Sequence, residues 1–222
     1  MNSVTRCTGL ITAALLLGIP TGSRAQEAAV QQDRKWQVDL DLAGVLMHSS
    51  ATVDVAGMRI PGASANVSNA VTGAFGLSYS LTPSIAIELE AGIPARATIT
   101  GAGSIAPFGT IATTRYGAGI LSVQYRFVGL GHFEPYAAIG VGYAIFFGTS
   151  GSAVSNVKLT NSWAASFDGG IRYYLNSAWA LRFHVRQLLV GTRISGQLGP
   201  APLSAKATLN PTIIGAGLSF RF

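Results

Sequence analysis

Residues 85–93 read Ile-Ala-Ile-Glu-Leu-Glu-Ala-Gly-Ile, so that apolar side chains at odd positions alternate with small or acidic ones at even positions. A period of two is the period of a β-strand, whose successive side chains point to opposite faces. The pattern therefore predicts a strand with one continuous apolar face and one face that carries Glu88 and Glu90.

The same alternation recurs along the chain and predicts eight strands in all. The first strand begins at Trp36 and the second ends at Ser80. The third, fourth and fifth span residues 85–93, 114–127 and 135–147. The sixth and seventh begin at Trp163 and Trp179, and the eighth ends at Phe222. Three predicted connections are short and cover residues 81–83, 128–134 and 176–178, whereas four are long and cover residues 49–70, 97–113, 148–162 and 194–207. An even strand number, with short turns at one end and long loops at the other, is typical of outer-membrane barrels.

The composition favours a membrane-embedded barrel over a soluble protein. Charged residues make up 11% of the chain, against about 25% in ordinary soluble proteins, and the mean hydropathy is +0.40. Beyond the N-terminal segment, no apolar run approaches the roughly 18 residues of a transmembrane helix. A closed barrel spreads apolar residues through alternating strands and satisfies every backbone group without a helix. The sequence thus predicts an all-β fold, an eight-stranded antiparallel transmembrane β-barrel.

The first 25 residues have the form of an export signal. Arg6 is followed by an apolar core from Gly9 to Ile19 and by Ser23-Arg24-Ala25, with small residues at the two positions that a signal peptidase reads. Cleavage there leaves residues 26–222 as the barrel, without Cys7 and hence without a disulfide or a cysteine-bound metal. Two of the 15 basic residues are also removed, leaving 13 against 9 acidic ones, a balance that does not suggest a nucleic-acid partner. We expect the chain in the outer membrane of a Gram-negative bacterium, as a multi-pass protein with a periplasmic N-terminus.

Aromatic residues are predicted to form two girdles at the membrane–water boundaries. The girdle at the short-turn end contains Trp36, Tyr79, Tyr125, Phe127, Tyr173, Trp179 and Phe222, and the girdle at the long-loop end contains Tyr116, Phe147 and Trp163. The alternatives are a secreted β-sandwich and an extracellular fibre subunit, and a β-sandwich would have neither the girdles nor the alternating turn lengths. Leu218, Phe220 and Phe222 share the outward face of the last strand, and this pattern predicts an assembly signal for the outer-membrane assembly machinery.

The inward face carries charges of both signs near the short-turn end. This predicted interior charged floor consists of Asp39, Asp41, Glu88, Glu90, Arg126, Asp168, Arg172, Arg182, His184 and Arg186, with Arg221 beside it. Five acids face five arginines, and buried charges must pair, so we interpret the floor as a structural element. Two other hypotheses are an ion path and a proton-relay or hydrolytic role for His184 with Asp168 and Ser166. The histidines are too scattered for a metal site, and no cofactor is expected.

Above the floor, the inward residues become apolar. The predicted hydrophobic lumen contains Val45, Met47, Ile120, Phe146, Leu188 and Val190. Apolar residues depart from the polar interior usual for such barrels, and an apolar cavity rimmed by loops is a common form of small-molecule site. Two interpretations stay open, a cavity for small hydrophobic molecules and simple packing that leaves no space.

Four segments resemble the OmpW family of outer-membrane proteins. They are residues 84–94, residues 134–143 with Phe146-Phe147, residues 161–174 with Trp179, and Asn210-Pro211 with the closing Phe220-Arg221-Phe222. The chain departs from the family where Asn210 replaces the usual aspartate and Ala164 the glycine that usually follows the tryptophan. The resemblance implies an eight-stranded barrel with a hydrophobic channel for small apolar molecules, sometimes with a lateral opening into the membrane.

Two functions remain as hypotheses. The first is a channel or binding site for small hydrophobic molecules, surrounded by outer-membrane lipid. The alternative is a structural or adhesive barrel of the OmpX or OmpA kind with a closed interior. A lipid-modifying enzyme ranks third, and we expect no enzymatic activity. Pro94 lacks the N–H that a strand ladder needs, so it either marks a possible lateral opening or only ends its strand.

Overall fold

The computed structural model describes residues 34–222, and the predicted signal peptide, residues 1–25, lies outside this range. In chain order the strands are β1 (Trp36–Leu46), β2 (Ser50–Val55), β3 (Met58–Arg59), β4 (Ala63–Val67), β5 (Ala70–Ser80), β6 (Ile85–Gly92), β7 (Ala95–Gly103), β8 (Thr110–Arg126), β9 (Phe133–Gly151), β10 (Ser155–Leu159), β11 (Ser162–Tyr174), β12 (Trp179–Leu198), β13 (Ala201–Thr208) and β14 (Thr212–Arg221). A short 3₁₀ helix, Ala106–Phe108, lies between β7 and β8. Within the described range, no helix is long and apolar enough to cross a membrane.

Eight of the strands close into an antiparallel barrel, which confirms the predicted fold class. The hydrogen-bonded order is β1, β5, β6, β8, β9, β11, β12 and β14, and β14 pairs with β1 to close the ring. The closing register runs from Gln37 opposite Arg221 to Leu46 opposite Thr212. Short connections join these strands at one end, through residues 81–84, 127–132 and 175–178. We call this the short-turn end and the other the long-strand end.

The outer surface near the short-turn end is apolar, as the alternation predicts. The exposed side chains there include Leu40, Leu42, Phe75, Leu89, Leu121, Ile139, Phe167, Phe183 and Leu218. A continuous apolar surface of this kind is unfavourable in water and is matched by hydrocarbon. On β1 the exposed leucines alternate with the buried Asp39 and Asp41, so the polar side chains lie inside.

The four long connections are strands rather than loops, so this part of the prediction is wrong. The predicted loop regions contain β2, β3, β4, β7, β10 and β13. The barrel strands β8, β9 and β12 also extend into these regions and are 17, 19 and 20 residues long. About 9–11 residues suffice to cross a membrane, so the barrel wall extends well beyond it. These segments escaped prediction because they alternate small residues with polar ones; in β13, for example, buried Ala205 and Ala207 flank exposed Lys206.

The polarity of the two faces reverses along the barrel. On β12, the outward residues Phe183, Val185 and Leu189 are apolar, whereas the outward Arg193 and Ser195 further along the same strand are polar and exposed. The inward residues change in the opposite sense, from Arg182, His184 and Arg186 to Val190 and Ile194. Since outward apolar residues face lipid and outward charged residues face water, the change between Leu189 and Arg193 marks the membrane boundary in the second half of β12.

We expect deletion of Phe222 to lower the yield of folded protein in the outer membrane. Backbone hydrogen bonds join Trp36 and Phe222 in both directions, at 3.1 and 2.9 Å, so the deletion removes the last rung of the closing ladder and an exposed aromatic side chain. Immunoblots of outer-membrane fractions, with the heat-induced gel shift as the test of folding, measure the effect. Phe222→Tyr keeps the backbone and the ring and should assemble normally. Unchanged yield after the deletion would show that the terminal residue is not an assembly signal.

Candidate functional site

Arg182 lies at the centre of the charged floor and is fully buried. Its guanidinium nitrogens lie 3.1 to 3.6 Å from five carboxylates, those of Asp39, Asp41, Glu88, Glu90 and Asp168. Its Nε also donates a hydrogen bond to the hydroxyl of Tyr136 at 2.9 Å. One side chain of β12 therefore connects β1, β6, β9 and β11 across the inside of the barrel.

The other arginines extend this network over the whole cross-section. Arg172 Nη2 lies 3.3 Å from Asp39 Oδ2, and Arg186 Nη2 lies 3.1 Å from Asp168 Oδ2 while Nη1 contacts Glu90. Arg126 donates to the hydroxyls of Ser78 and Ser80 and to Gln124. All ten residues predicted for the floor are buried: Asp39, Asp41, Glu88, Glu90, Arg126, Asp168, Arg172, Arg182, His184 and Arg186.

Glu134 belongs to the floor, although the sequence pattern predicted a connection at this position. It is the second residue of β9 and is 3% exposed. Its carboxylate lies 3.4 Å from Arg172 Nη1 and 3.1 Å from Arg221 Nη2, and it accepts a hydrogen bond from the hydroxyl of Tyr174. The signal was available, because Glu134 is two residues before the inward-facing Tyr136. The error came from ending the turn two residues too late.

Glycines on neighbouring strands make room for the large floor side chains. A Cβ atom at Gly215 would lie 2.0 Å from His184 Nε2, and one at Gly170 would lie 2.6 Å from the hydroxyl of Tyr136. Both distances are far inside van der Waals contact, so any other residue at these positions would displace the ring. The floor therefore depends on small residues of β11 and β14 as well as on its charges.

His184 is positioned by the floor and does not form a nucleophile–base pair with Ser166. Its Nδ1 lies 3.3 Å from Asp168 Oδ1, and among the described residues Ser166 has no hydrogen bond to it. Nε2 lies 3.9 Å from Asp41 Oδ2 without a hydrogen bond. This geometry lacks the nucleophile–base contact that the hydrolytic hypothesis requires.

A cavity lies directly above the floor, within the part of the barrel that crosses the membrane. We call it the membrane-level cavity; it contains about 790 Å³ of space that no atom fills, including the part open to solvent. Glu90 and His184 of the floor form its lower end. Its walls include all six residues predicted for the lumen: Val45, Met47, Ile120, Phe146, Leu188 and Val190.

A second cavity continues towards the long-strand end. This outer cavity contains about 440 Å³ of space that no atom fills, including the part open to solvent, and the extended strands line it with residues such as Ala65, Ile99, Ile194 and Ala207. Four side chains line both cavities and form the junction between them: Met47, Tyr116, Phe146 and Leu209. The interior above the charged floor therefore contains two mainly apolar cavities that share these four side chains.

Tyr116 was predicted in the outer aromatic girdle, and this assignment is wrong. It lines the junction, and its hydroxyl is buried without a hydrogen-bond partner among the described residues. The alternation on β8 already indicated this, because Tyr116 is four residues before the predicted lumen residue Ile120 and therefore lies on the same face. By contrast, Phe147 and Trp163 are exposed on the outside, as predicted.

The ladder between β5 and the β6–β7 edge is interrupted beside Pro94. The N–H of Ile93 donates to Gly73 O at 2.8 Å, and the next backbone hydrogen bond along this edge joins Ser68 N to Thr98 O at 3.0 Å. Between these two bonds, β5 and β7 form no ladder pair in the described part of the chain, and the edge is crossed there by a side-chain hydrogen bond from Thr72 Oγ1 to Ile93 O at 2.6 Å. We call this gap the seam.

The seam adjoins both the membrane-level cavity and the outer surface. On its inner side, Thr72, Ile93 and Ala95 line the cavity. On its outer side, Val71 is 72% exposed and Ile93 is 65% exposed. On the β8 side the register shifts by one residue at the same place: Ala91 pairs with Gly119 and Ala95 with Tyr116, which leaves one extra residue as a bulge in the β6–β7 edge.

A sequence profile of the OmpW family matches residues 33–222, which covers the whole described barrel. The chain belongs to the OmpW family. Outer membrane protein AlkL of Ectopseudomonas oleovorans is 35% identical over 170 residues, which cover 77% of this chain and 74% of AlkL. The dibenzothiophene metabolism operon protein PahQ of Pseudomonas aeruginosa is 28% identical over 193 residues, covering 86% and 90% of the two chains.

The fold agrees with a solved structure of this class. The crystal structure of the outer membrane protein OprG from Pseudomonas aeruginosa superimposes with a TM-score of 0.80 at 22% identity, over 85% of this chain and 96% of OprG. The family match confirms the membership predicted from four sequence segments, and this OmpW-family protein is an outer-membrane β-barrel.

In this OmpW-family barrel, Arg182→Ala should lower the free energy of unfolding strongly. The substitution leaves five buried carboxylates without their shared partner, and breaking a buried pair from one side costs about 3–5 kcal/mol. Urea unfolding of the refolded barrel in detergent, followed by tryptophan fluorescence, measures the change. Arg59→Ala is the control, because Arg59 is 67% exposed and 3.4 Å from Asp54, and exposed pairs contribute less than about 1 kcal/mol. A variant that folds with wild-type stability and conducts ions would identify the floor as a gate.

Proposed function

We propose that this barrel admits small hydrophobic molecules at the long-strand end and releases them sideways into the membrane. The observation that carries the proposal is an apolar cavity at membrane level that lies between a closed charged floor and an interrupted strand ladder. The cavity gives the solute a binding place, the floor blocks the axial route, and the interrupted ladder provides the exit.

The walls of the two cavities favour apolar solutes. Side chains such as Val45, Ile120 and Leu188 offer no hydrogen bonds to a polar molecule, which would lose its water without compensation. An apolar molecule instead gains roughly 25 cal/mol per Å² of surface removed from water. Entry from the outer cavity requires passage of the junction, where the mobile side chain of Met47 lies beside Phe146.

The floor opposes further movement along the barrel axis. Its ionised groups are paired with one another at 3.1 to 3.6 Å around Arg182. An apolar molecule would have to separate these pairs without replacing their interactions, which is costly for buried charges. Axial passage to the periplasm is therefore unfavourable, and the cavity needs another exit.

The seam supplies that exit in this proposal. Pro94 has no N–H to donate, so opening the ladder beside it breaks fewer hydrogen bonds than opening any regular part of the wall. Val71 and Ile93 flank the gap with apolar side chains, and both face lipid. A solute that leaves there passes from an apolar cavity into hydrocarbon without crossing water.

The orientation and the relatives agree with this direction. Outer-membrane barrels place short turns in the periplasm and long segments outside, so we propose that the N-terminus is periplasmic and that the outer cavity faces the medium. PahQ is named for an operon of dibenzothiophene metabolism, and dibenzothiophene is an apolar aromatic compound. A related substrate class for this chain is consistent with the cavity walls.

Phe146→Arg should reduce the uptake of an apolar probe by at least about tenfold. The substitution places a charge in the apolar junction, and a penalty of 1.4 kcal/mol already corresponds to tenfold. Uptake is measured with an apolar fluorescent probe in intact cells with matched surface expression, and a polar dye serves as the reference. Phe146→Leu keeps the junction apolar and should retain uptake. If wild-type cells take up no more probe than cells without the barrel, the structural alternative is favoured.

A cross-link over the seam should block uptake while leaving the barrel folded. Residues 34–222 contain no cysteine, so Val71→Cys with Ile93→Cys provides a single pair for a short bis-maleimide. The matched control is Leu121→Cys with Val141→Cys, which are paired across the continuous β8–β9 ladder. Uptake should fall only for the seam pair. If the seam cross-link has no effect while Phe146→Arg blocks uptake, the cavity is used and the lateral exit is wrong.

A further inference from the structure

Five basic residues project from the outward face of the extended strands without acidic partners. They are Arg96, Arg115, Lys158, Arg193 and Lys206, and all five are exposed. In residues 34–222, Asp54 is the single acidic residue outside the floor. It lies 3.4 Å from Arg59, a basic residue that is not one of these five. The acidic side chains are concentrated inside the barrel, so this outer surface is positively charged.

Four of these residues form two like-charged cross-strand pairs. Arg96 of β7 is directly opposite Arg115 of β8, and Arg193 of β12 is directly opposite Lys206 of β13. Directly opposed side chains share one face of the sheet, where like charges destabilise the pairing. Lys158 adds a third charge to the second pair, because its partner Ser195 is two residues from Arg193. Repulsion of this kind is relieved when an anion lies between the two cations.

The two patches lie at the level where lipid headgroups are expected. On its other side, Arg115 is opposite Phe147, an exposed aromatic residue of the girdle at the long-strand end. For the second patch, the exposed Trp163 of β11 marks the level of the girdle. Its neighbour Ala164 pairs with Val190 of β12, which is three residues before Arg193. At about 3.3 Å per residue, Arg193 lies roughly 10 Å further out along the strand. Aromatic girdles mark the edge of the hydrocarbon, so the patches lie just outside it.

We propose that the seam patch, Arg96 with Arg115, and the hairpin patch, Lys158 with Arg193 and Lys206, bind phosphate groups of lipopolysaccharide in the outer leaflet. The proposal rests on the orientation given above and does not depend on solute uptake. A guanidinium presents a planar fork that binds phosphate oxygens with two hydrogen bonds, and two opposed cations match the charge of one phosphate. Since Arg96 is two residues from Pro94, the first patch would also hold lipid beside the seam.

The test compares stability with and without lipid. The barrel is unfolded thermally in a neutral detergent, alone and with purified lipopolysaccharide, for the wild type and for the pairs Arg96→Gln/Arg115→Gln and Arg193→Gln/Lys206→Gln. Without lipid, the variants should be at least as stable as the wild type, because repulsion has been removed. With lipid, the wild type should be stabilised, and the affinity should fall about fivefold for each basic residue removed. Arg59→Gln is the control and should respond to lipid as the wild type does.

Further samples distinguish lipid-borne phosphate from a free anion and from the rest of the lipid molecule. Dephosphorylated lipopolysaccharide should give no stabilisation, and equal stabilisation by it would overturn the proposal. Inorganic phosphate at the same phosphate concentration should have little effect, and a full effect would identify a small-anion site instead. A glutamine pair that is less stable than the wild type in lipid-free detergent would contradict the repulsion. Equal stabilisation of all variants by lipopolysaccharide would overturn the assignment of these residues.

Discussion

A charge inside a narrow barrel has to be neutralised where it lies, and this structure meets that requirement mainly through Arg182. Its guanidinium contacts carboxylates from three strands and a tyrosine hydroxyl from a fourth. Because the partners come from opposite sides of the ring, the same contacts connect the wall across its interior. Interior glycines such as Gly215 are part of this arrangement, since a larger residue would occupy the position of the His184 ring. The result is a floor of buried and mutually paired charges.

The floor determines what the rest of the interior can be. Once the charges are confined to one level, the inward positions above it need not be polar, and β12 changes from Arg186 to Leu188 and Val190 within four residues. Beyond the membrane the outer face turns polar, and the extended strands become a small water-exposed sheet structure with apolar residues inside. Both cavities are therefore lined mainly by apolar side chains, although their surroundings change from water to lipid.

Much of this arrangement was predictable from alternation alone, and the errors have identifiable causes. Parity placed Asp39, Glu88 and Arg182 inside and Leu40 and Leu89 outside, because large apolar and charged residues contrast sharply. Glu134 was missed because the turn before β9 was predicted to end two residues too late. Tyr116 was placed in the girdle because it is aromatic, although the alternation on β8 puts it on the inward face. The extended strands were missed because alanine and serine give little contrast between faces. The seam needed the structure, since a sequence gives no register between strands and Pro94 alone does not distinguish a gap from a strand end.

The bulge at the seam has a consequence for both halves of the interior. On β6 the buried residues are even-numbered, from Ala86 to Glu90, whereas on β7 they are odd-numbered, from Ala95 to Gly101. The extra residue between the strands therefore changes the parity of everything that follows. In an uninterrupted strand Arg96 and Thr98 would face inward. The guanidinium of Arg96 would then lie among the apolar residues of the cavities, and no nearby carboxylate would offset its loss of hydration. The bulge instead places Ala97 and Ile99 inside and turns Arg96 towards the headgroup region. One irregularity thus keeps a charge out of the apolar cavities, interrupts the ladder beside them and adds a positive charge to the outer surface.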